Sequence, residues 1–481
     1  VYDSAAVQVE AMAAGRVSAV ELAEAAIARI ERLDPTINAV CVRAFEQALA
    51  AAKSADVART QGDARPLLGV PMTVKESFHM AGLPTTWGFP AFQDFVSDVD
   101  AVAVERVRSA GAVVLGKTNV PLALGDFQSY NDFYGTTRNP WNPDRVPGGS
   151  SGGSAAALAA GYGALSLGSD IGGSLRNPAH YCGVYAHKPT FGLVPTRGHT
   201  PPAMPTLPVA LDMAVVGPMA RSATDLALLL DVLAEPDELT LGPAYRLALP
   251  PARHENLADH RVLVLDTHPL IPAAASVREA IDGLAAALSA AGATVVRESP
   301  LLPDLADTAR QFMRLLQSAF SGGYPPEIYE RVRAEAAGLD PDDHGLRAER
   351  VRGAAFSHRD WIHADGARAV VQQQWRALFA EFDVVVCPVM PTPAFPHDHS
   401  PITTRRIAVD GVDHDYLDQM AYAGIATLPG LPATAIPVGL SADGLPIGVQ
   451  AVGPMYGDRT TIRFAELVEQ ERGGFTPPEL T

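Results

Sequence analysis

Apolar and polar positions fall into two kinds of block along this chain. Residues 4–32 repeat apolar side chains at helical spacing, and Ser18-Ala-Val-Glu21 has the form of a capping box opening the second half. Leu67–Val74 (LLGVPMTV) is a short apolar run that predicts a strand ending at Lys75. Val102–Ala110 reads as a helix and Ala112–Leu115 as a strand. Ser154–Gly168, rich in Ala, Leu and Gly, reads as a small-residue buried helix running into a strand at Ala164–Leu167. This alternation predicts an α/β fold: a central mixed sheet with helices on both faces.

Pro195–Pro208 is dense in proline and predicts a surface loop; Ser222–Ala234 predicts a helix, and residues 236–260 a linker. Arg261–Leu265 and Thr294–Arg297 read as strands flanking a helix at Val277–Ala291. From Leu305 to Gln374 the pattern is helical and charged, with a turn at 322–326. Phe382–Cys387, Ala433–Val438 and Ile447–Val452 supply further strands. One domain over 1–481 accounts for this order. It has a helical N-terminal segment (about 1–65) that lies across the outside, a core (66–235), a variable, largely helical excursion (about 236–380) and a return to the sheet (381–470).

Composition narrows the function classes. With 481 residues and 47% hydrophobic content a sizeable core can be buried. A net charge of −17 argues against nucleic acid as a partner. Cys41, Cys182 and Cys387 lie far apart without a CxxC pair, which fits a reducing, cytoplasmic setting. No run of 18 apolar residues indicates a membrane span. The chain begins at Val1, which leaves room for missing native residues or a leader.

The densest chemical signal is Pro147–Pro178, PGGSSGGSAAALAAGYGALSLGSDIGGSLRNP. Glycine at this density lets another group approach the main chain closely. Ser150 and Ser174 each follow a Gly-Gly pair, at the two ends of one packed unit. The stretch resembles the signature of the amidase signature hydrolases, GGSSGGS…DIGGS-x-R-x-P. Gly69-Val-Pro-Met-Thr-Val-Lys75-Glu76 is similar to that family's GVP-x-x-x-K-(D/E) segment. The likeness fades between about Leu239 and Leu346 and returns at Asp383–Pro393 and Gly430–Gln450.

The resemblance implies a Ser–Ser–Lys site: Ser174 as nucleophile, Ser150 as the bridging serine and Lys75 as the base. A serine hydroxyl needs a base, and Lys75 must be neutral to serve, which burial promotes. It also implies an oxyanion hole built from the backbone N–H groups of Ile171, Gly172, Gly173 and Ser174. Asp170, Arg176 and Ser151 support that loop. The acyl-pocket loop implied is Leu124–Tyr130, with Leu124, Gly125, Asp126, Phe127, Gln128 and Tyr130 meeting substrate. Where the family has Gly-Leu-Lys-Pro-Thr, this chain has Ala186-His187-Lys188-Pro189-Thr190, which raises the question of whether His187 reaches the pocket.

Three other patterns carry less. Gly111–Thr118 spells a Walker A motif, but its interval is itself a strand and Asn119-Val-Pro opens no helix. Gly148–Gly152 spells the G-x-S-x-G elbow, without a supporting pattern around His358, His363 or His397. His397-Asp-His399 is a weak metal spacing, and the family chemistry needs no metal and no cofactor.

The function expected is cleavage of the C–N bond of neutral small-molecule amides, with aryl amides, carbamates and cyclic or oligo-amides within reach. One alternative is the glutamine-hydrolysing subunit of a transfer-RNA-dependent amidotransferase; another is a non-catalytic binding protein. A second copy of the chain is the partner allowed for.

Overall fold

The computed structural model describes residues 2–480. Eleven strands form one mixed sheet: β1 (Val40–Arg43), β2 (Pro71–Lys75), β3 (Val113–Thr118), β4 (Leu165–Asp170), β5 (Tyr185–Lys188), β6 (Val215–Ala220), β7 (Arg261–Val264), β8 (Thr294–Val296), β9 (Val384–Pro388), β10 (Ala433–Leu440) and β11 (Pro446–Val452). Their order across the sheet is β1-β3-β2-β4-β6-β5-β10-β11-β9-β7-β8. Two parallel triplets, β3-β2-β4 and β9-β7-β8, flank an antiparallel middle. Every residue of β2, β3 and β4 is buried. Strands covered on both faces take continuous apolar runs, which is why LLGVPMTV lacks alternation.

Because β2 and β4 are parallel, their carboxyl ends leave the sheet on the same side. Val74 pairs with Leu167, so Lys75 emerges beside Ser169 and Asp170. Ligands in α/β sheets gather outside such strand ends.

The capping box at Ser18 is present: its hydroxyl accepts from Glu21 N–H while the Glu21 carboxylate accepts from Ser18 N–H. That helix runs Ala19–Ile37, past Pro35 and beyond the expected end at 32. A helix at Phe45–Thr60 and a hairpin of Arg406–Val409 with Val412–Asp415 were not foreseen. The first is alanine-rich with little amphipathic pattern, and the second is too short to show one.

The stretch 236–380 contributes β7 and β8 to the sheet before it turns helical. Helices Leu305–Ser321 and Leu346–Ala354 touch so closely that a Cβ on Gly353 would lie 2.2 Å from Arg314 O. Helix Leu305–Ser321 also rests on Met420–Thr427, where a Cβ on Gly424 would meet Phe312 at 2.8 Å. Met420–Thr427 in turn lines the Gly172-Gly173 loop, with Met420 Cε 3.0 Å from a Cβ placed on Gly172. The excursion therefore props one wall of the region around Ser174. Among the described residues, no helix is long and apolar enough to cross a membrane.

Candidate active site

Lys75 is wholly buried, and its Nζ lies 2.7 Å from Ser150 Oγ and 2.9 Å from Ser169 Oγ. Burial pushes its ammonium down to about 7, against the upward pull of the Asp170 and Glu76 carboxylates. An amine at that value is substantially neutral near pH 7 and able to take a proton. Ser169 was not singled out from the sequence. Its signal was available: it precedes Asp170 at the end of the strand that pairs with β2.

Ser150 sits on a loop held open for contact. The Gly149–Ser150 peptide is cis. Gly149 N–H donates to Asn177 Oδ1 at 3.0 Å, and Ser129 Oγ donates to Gly148 O at 3.0 Å. A Cβ on Gly149 would fall 2.2 Å from Asp126 O, so only glycine fits there. Asn177 and Ser129 are thus supports that sequence reading missed; Asn177 lies inside the DIGGSLRNP motif.

Ser174 retains 8% of its surface, and its hydroxyl meets no hydrogen-bond partner among the described residues. Its carbonyl accepts from Ser151 N–H at 3.3 Å, which ties the two serine loops together. Ser151 Oγ donates to Ser169 O at 3.3 Å. Ser151 therefore knits the loops from behind.

Asp170 and Arg176 hold one another. Arg176 Nη2 donates to Asp170 Oδ1 at 2.8 Å and its Nε to Oδ2 at 3.0 Å, with both side chains buried. Burial alone would raise the Asp170 carboxyl, yet Arg176 brings it down to about 2. Arg176 further donates to Gln450 Oε1 and Thr427 Oγ1, each at 2.8 Å. This pairs the nucleophile loop with the return strand and with helix Met420–Thr427.

One expected oxyanion donor is otherwise engaged. Gly173 N–H donates to Asp170 Oδ1 at 2.9 Å. The N–H groups of Ile171, Gly172 and Ser174 meet no acceptor among the described residues. The donor set therefore contracts to three, and Gly173 serves instead to shape the turn at φ 99°.

The expected pocket loop is only partly available. Leu124 is half-buried and Gly125 exposed. Gln128 faces elsewhere: Nε2 donates to Asp398 O at 2.7 Å, and Oε1 accepts from Asp398 N–H at 2.9 Å. Phe127 is 5% exposed and packs edge-on against Tyr416, as core. Asp126 accepts from Arg405 Nη1 at 2.5 Å and Tyr416 O–H at 2.7 Å, and Tyr130 O–H accepts from Arg405 Nη2 at 2.7 Å. These four side chains fasten the loop to the segment 398–416, because each finds a buried partner there.

His187 lies on β5 between Thr434 Oγ1 (2.9 Å) and Asp458 Oδ1 (3.0 Å), a buried structural position. Gly111–Thr118 runs into β3, and Lys117 Nζ is buried against Thr85 Oγ1 at 2.8 Å; no helix follows. His397 Nε2 lies 3.3 Å from Pro143 O, and His399 stacks on Tyr130. The helical excursion brings one cation near the site wall: Arg350 stands 3.6 Å from Asp415 and 3.8 Å from Asp418.

Comparison with known proteins agrees with this geometry. The family model described as Amidase matches residues 21–462. The chain is 35% identical over 453 residues to a glutamyl-tRNA(Gln) amidotransferase subunit of Chromohalobacter salexigens, covering 89% of this chain and 88% of that one. A solved protein from an unexpected vestigial complex, which reveals the evolutionary origins of an s-triazine catabolic enzyme, superposes with a TM-score of 0.82 at 32% identity over all of both chains. A bacterial aryl acylamidase of the amidase signature enzymes superposes at 0.81 with 25% identity, over 98% of this chain and 96% of its own. With the match running through the sheet, both serine loops and the buried lysine, this chain belongs to the amidase signature family.

Proposed function

We propose that the protein hydrolyses the C–N bond of neutral small-molecule amides through an acyl-enzyme on Ser174. The observation that carries this reading is the buried, depressed Lys75 within 2.7 Å of Ser150, across from a nucleophile loop with three unengaged N–H groups.

In the proposed sequence neutral Lys75 Nζ takes the Ser150 proton while Ser150 takes that of Ser174. Ser174 Oγ then bonds to the amide carbon, and the carbonyl oxygen becomes an oxyanion. The N–H groups of Ile171, Gly172 and Ser174 face it; one such donor contributes about 3 kcal/mol to the transition state. Ser150 passes the proton on to the departing nitrogen and is reprotonated by Lys75. The C–N bond breaks, and an amine leaves. Water, deprotonated by the same pair, attacks the ester and releases the acid. A serine can relay in this way because its hydroxyl both donates and accepts.

A glutaminase within a transfer-RNA amidotransferase is the second reading, supported by the kinship to glutamyl-tRNA(Gln) amidotransferase subunits and by Arg350 near the site wall. Against it stands the pocket loop, which has no Lys or Arg between Lys117 and Arg138, and whose one nearby cation, Arg405, is paired with Asp126. The test is an activity screen of the purified chain over neutral amides, carbamates and glutamine. Turnover of neutral amides without any partner subunit supports hydrolysis; turnover of glutamine alone supports the second reading.

A further inference from the structure

Trp87 is held in a backbone conformation that bulky residues avoid. Its φ is 53°, in the left-handed region that glycine enters freely and a large aromatic does not. Strain of this kind persists only where surrounding contacts fix it, and it gathers at binding sites. Here three hydrogen bonds do so. Trp87 N–H donates to Glu76 Oε2 at 3.0 Å, and its indole N–H donates to Ser77 O at 2.9 Å. Its carbonyl accepts from Ala123 N–H at 2.8 Å. Two of these partners stand within two residues of Lys75, and the third immediately precedes Leu124. The contacted loop is itself left-handed at Ala123 and Leu124. The neighbouring Gly88 packs so closely that an added Cβ would lie 3.0 Å from Leu122 Cα. Trp87 thus spans from the lysine to the open end of the pocket loop.

His199 completes a stack. Its ring lies 4.8 Å from that of Phe78 and 5.1 Å from that of Trp87. Its Nε2 is 3.0 Å from Ser77 Oγ, which fixes the ring in place. Phe78 is wholly buried, whereas His199 and Trp87 are half-buried. The stack is closed behind and open in front. Burial, aided by the nearby Lys75, pushes the imidazole down to about 3, so His199 is uncharged at neutral pH. The adjoining rim adds Leu122, 51% exposed, and no cation. An uncharged aromatic surface of this kind recognises a planar, uncharged group by offset or edge-on contact.

We propose that Trp87 and His199 form an aromatic slot that receives an aryl group of the amide substrate beside Lys75. The inference rests on the amidase reading above and gives that site a substrate class.

The test uses wild type, Trp87→Gly, Trp87→Ala and His199→Leu against three neutral amides. These are benzamide (aryl on the acyl side), acetanilide (aryl on the leaving side) and hexanamide. Labelling of Ser174 by a fluorophosphonate, and protection from it by each amide, gives a second readout independent of turnover. The slot predicts that KM for at least one aryl amide rises about 3- to 10-fold in each variant, the size an aromatic contact carries. Values of kcat, hexanamide kinetics and the unprotected labelling rate should stay within about 2-fold on the same scale. Aryl protection should weaken in parallel, and the affected arm identifies the side of the substrate. Trp87→Gly should melt above Trp87→Ala, since only glycine suits the left-handed backbone, yet both should lose the aryl preference equally. A loss shared with hexanamide, a loss that follows melting temperature, or aryl amides that neither suffer nor protect would overturn the slot. A wild-type protein that neither labels nor cleaves any amide would instead remove the amidase reading, and the slot with it.

Discussion

At the scale of single residues, the chemistry turns on two side chains whose removal changes little packing. Ser174→Ala deletes one hydroxyl from a loop whose shape is set by Asp170, Arg176 and Asn177. The expected result is a fall in kcat on the order of 10⁶-fold, with an unchanged melting temperature. Retention of a tenth of the wild-type rate would place the nucleophile elsewhere. Lys75 predicts a rising limb of kcat/KM centred near pH 7, as its buried ammonium deprotonates. The sign for stability follows from the same shift. The unfolded lysine takes its proton near the ordinary value of 10.5, whereas the folded one waits until about 7. Between those values the unfolded chain binds more protons, so Lys75 lowers stability as pH falls from 10.5 toward 7 and its effect is constant below. Lys75→Ala should abolish the activity limb and flatten this part of the stability profile. Lys188, also buried and pushed down to about 7, is the rival titrating group, bonded to Leu431 O at 2.7 Å. A limb that survives in Lys75→Ala would point to it.

At the scale of elements, the buried Asp126–Arg405 pair ties the pocket loop to the segment that leads into helix Met420–Thr427. Arg405→Ala leaves a buried carboxylate with only the Tyr416 hydroxyl, so it should destabilise by roughly 3–5 kcal/mol in denaturant titration. Asp126→Asn in the same chain should recover part of that loss; a double mutant no better than the single would deny the coupling. Nothing in the sequence linked these two residues, 279 positions apart. The same holds for Gln128 with Asp398 and for the Trp87–His199 stack. Contacts of that reach depend on how distant loops close over the sheet, which local pattern does not encode. What local pattern does encode was legible. Apolar runs without alternation marked β2 and β4, Ser18 and Ser222 marked helix starts, and the Gly-Gly-Ser loops marked where backbone approaches ligand. Gly173 shows the limit. Its place in the motif was readable, but the direction of its N–H, toward Asp170, needed coordinates.

At the scale of the whole molecule, one sheet runs through segments from both halves of the sequence, and its parallel strands β2 and β4 deliver Lys75, Ser169 and Asp170 to a common edge. The helical excursion closes that edge from one side, and the Trp87 and Pro121–Gly125 loops border it from another. The resulting rim is short of free cations among the described residues, so kcat/KM for an aryl amide should exceed that for glutamine. The margin should be about 10- to 200-fold, the range that one group in an apolar pocket carries. A clear preference for glutamine would favour the amidotransferase reading. The central claim, that Ser174 carries the acyl group, is tested most directly by intact-mass analysis of acid-quenched enzyme during turnover of an activated amide, with peptide mapping of the adduct. The account predicts one acyl mass on the peptide holding Ser174, absent in Ser174→Ala. An adduct on another residue, or steady turnover by Ser174→Ala, would contradict it.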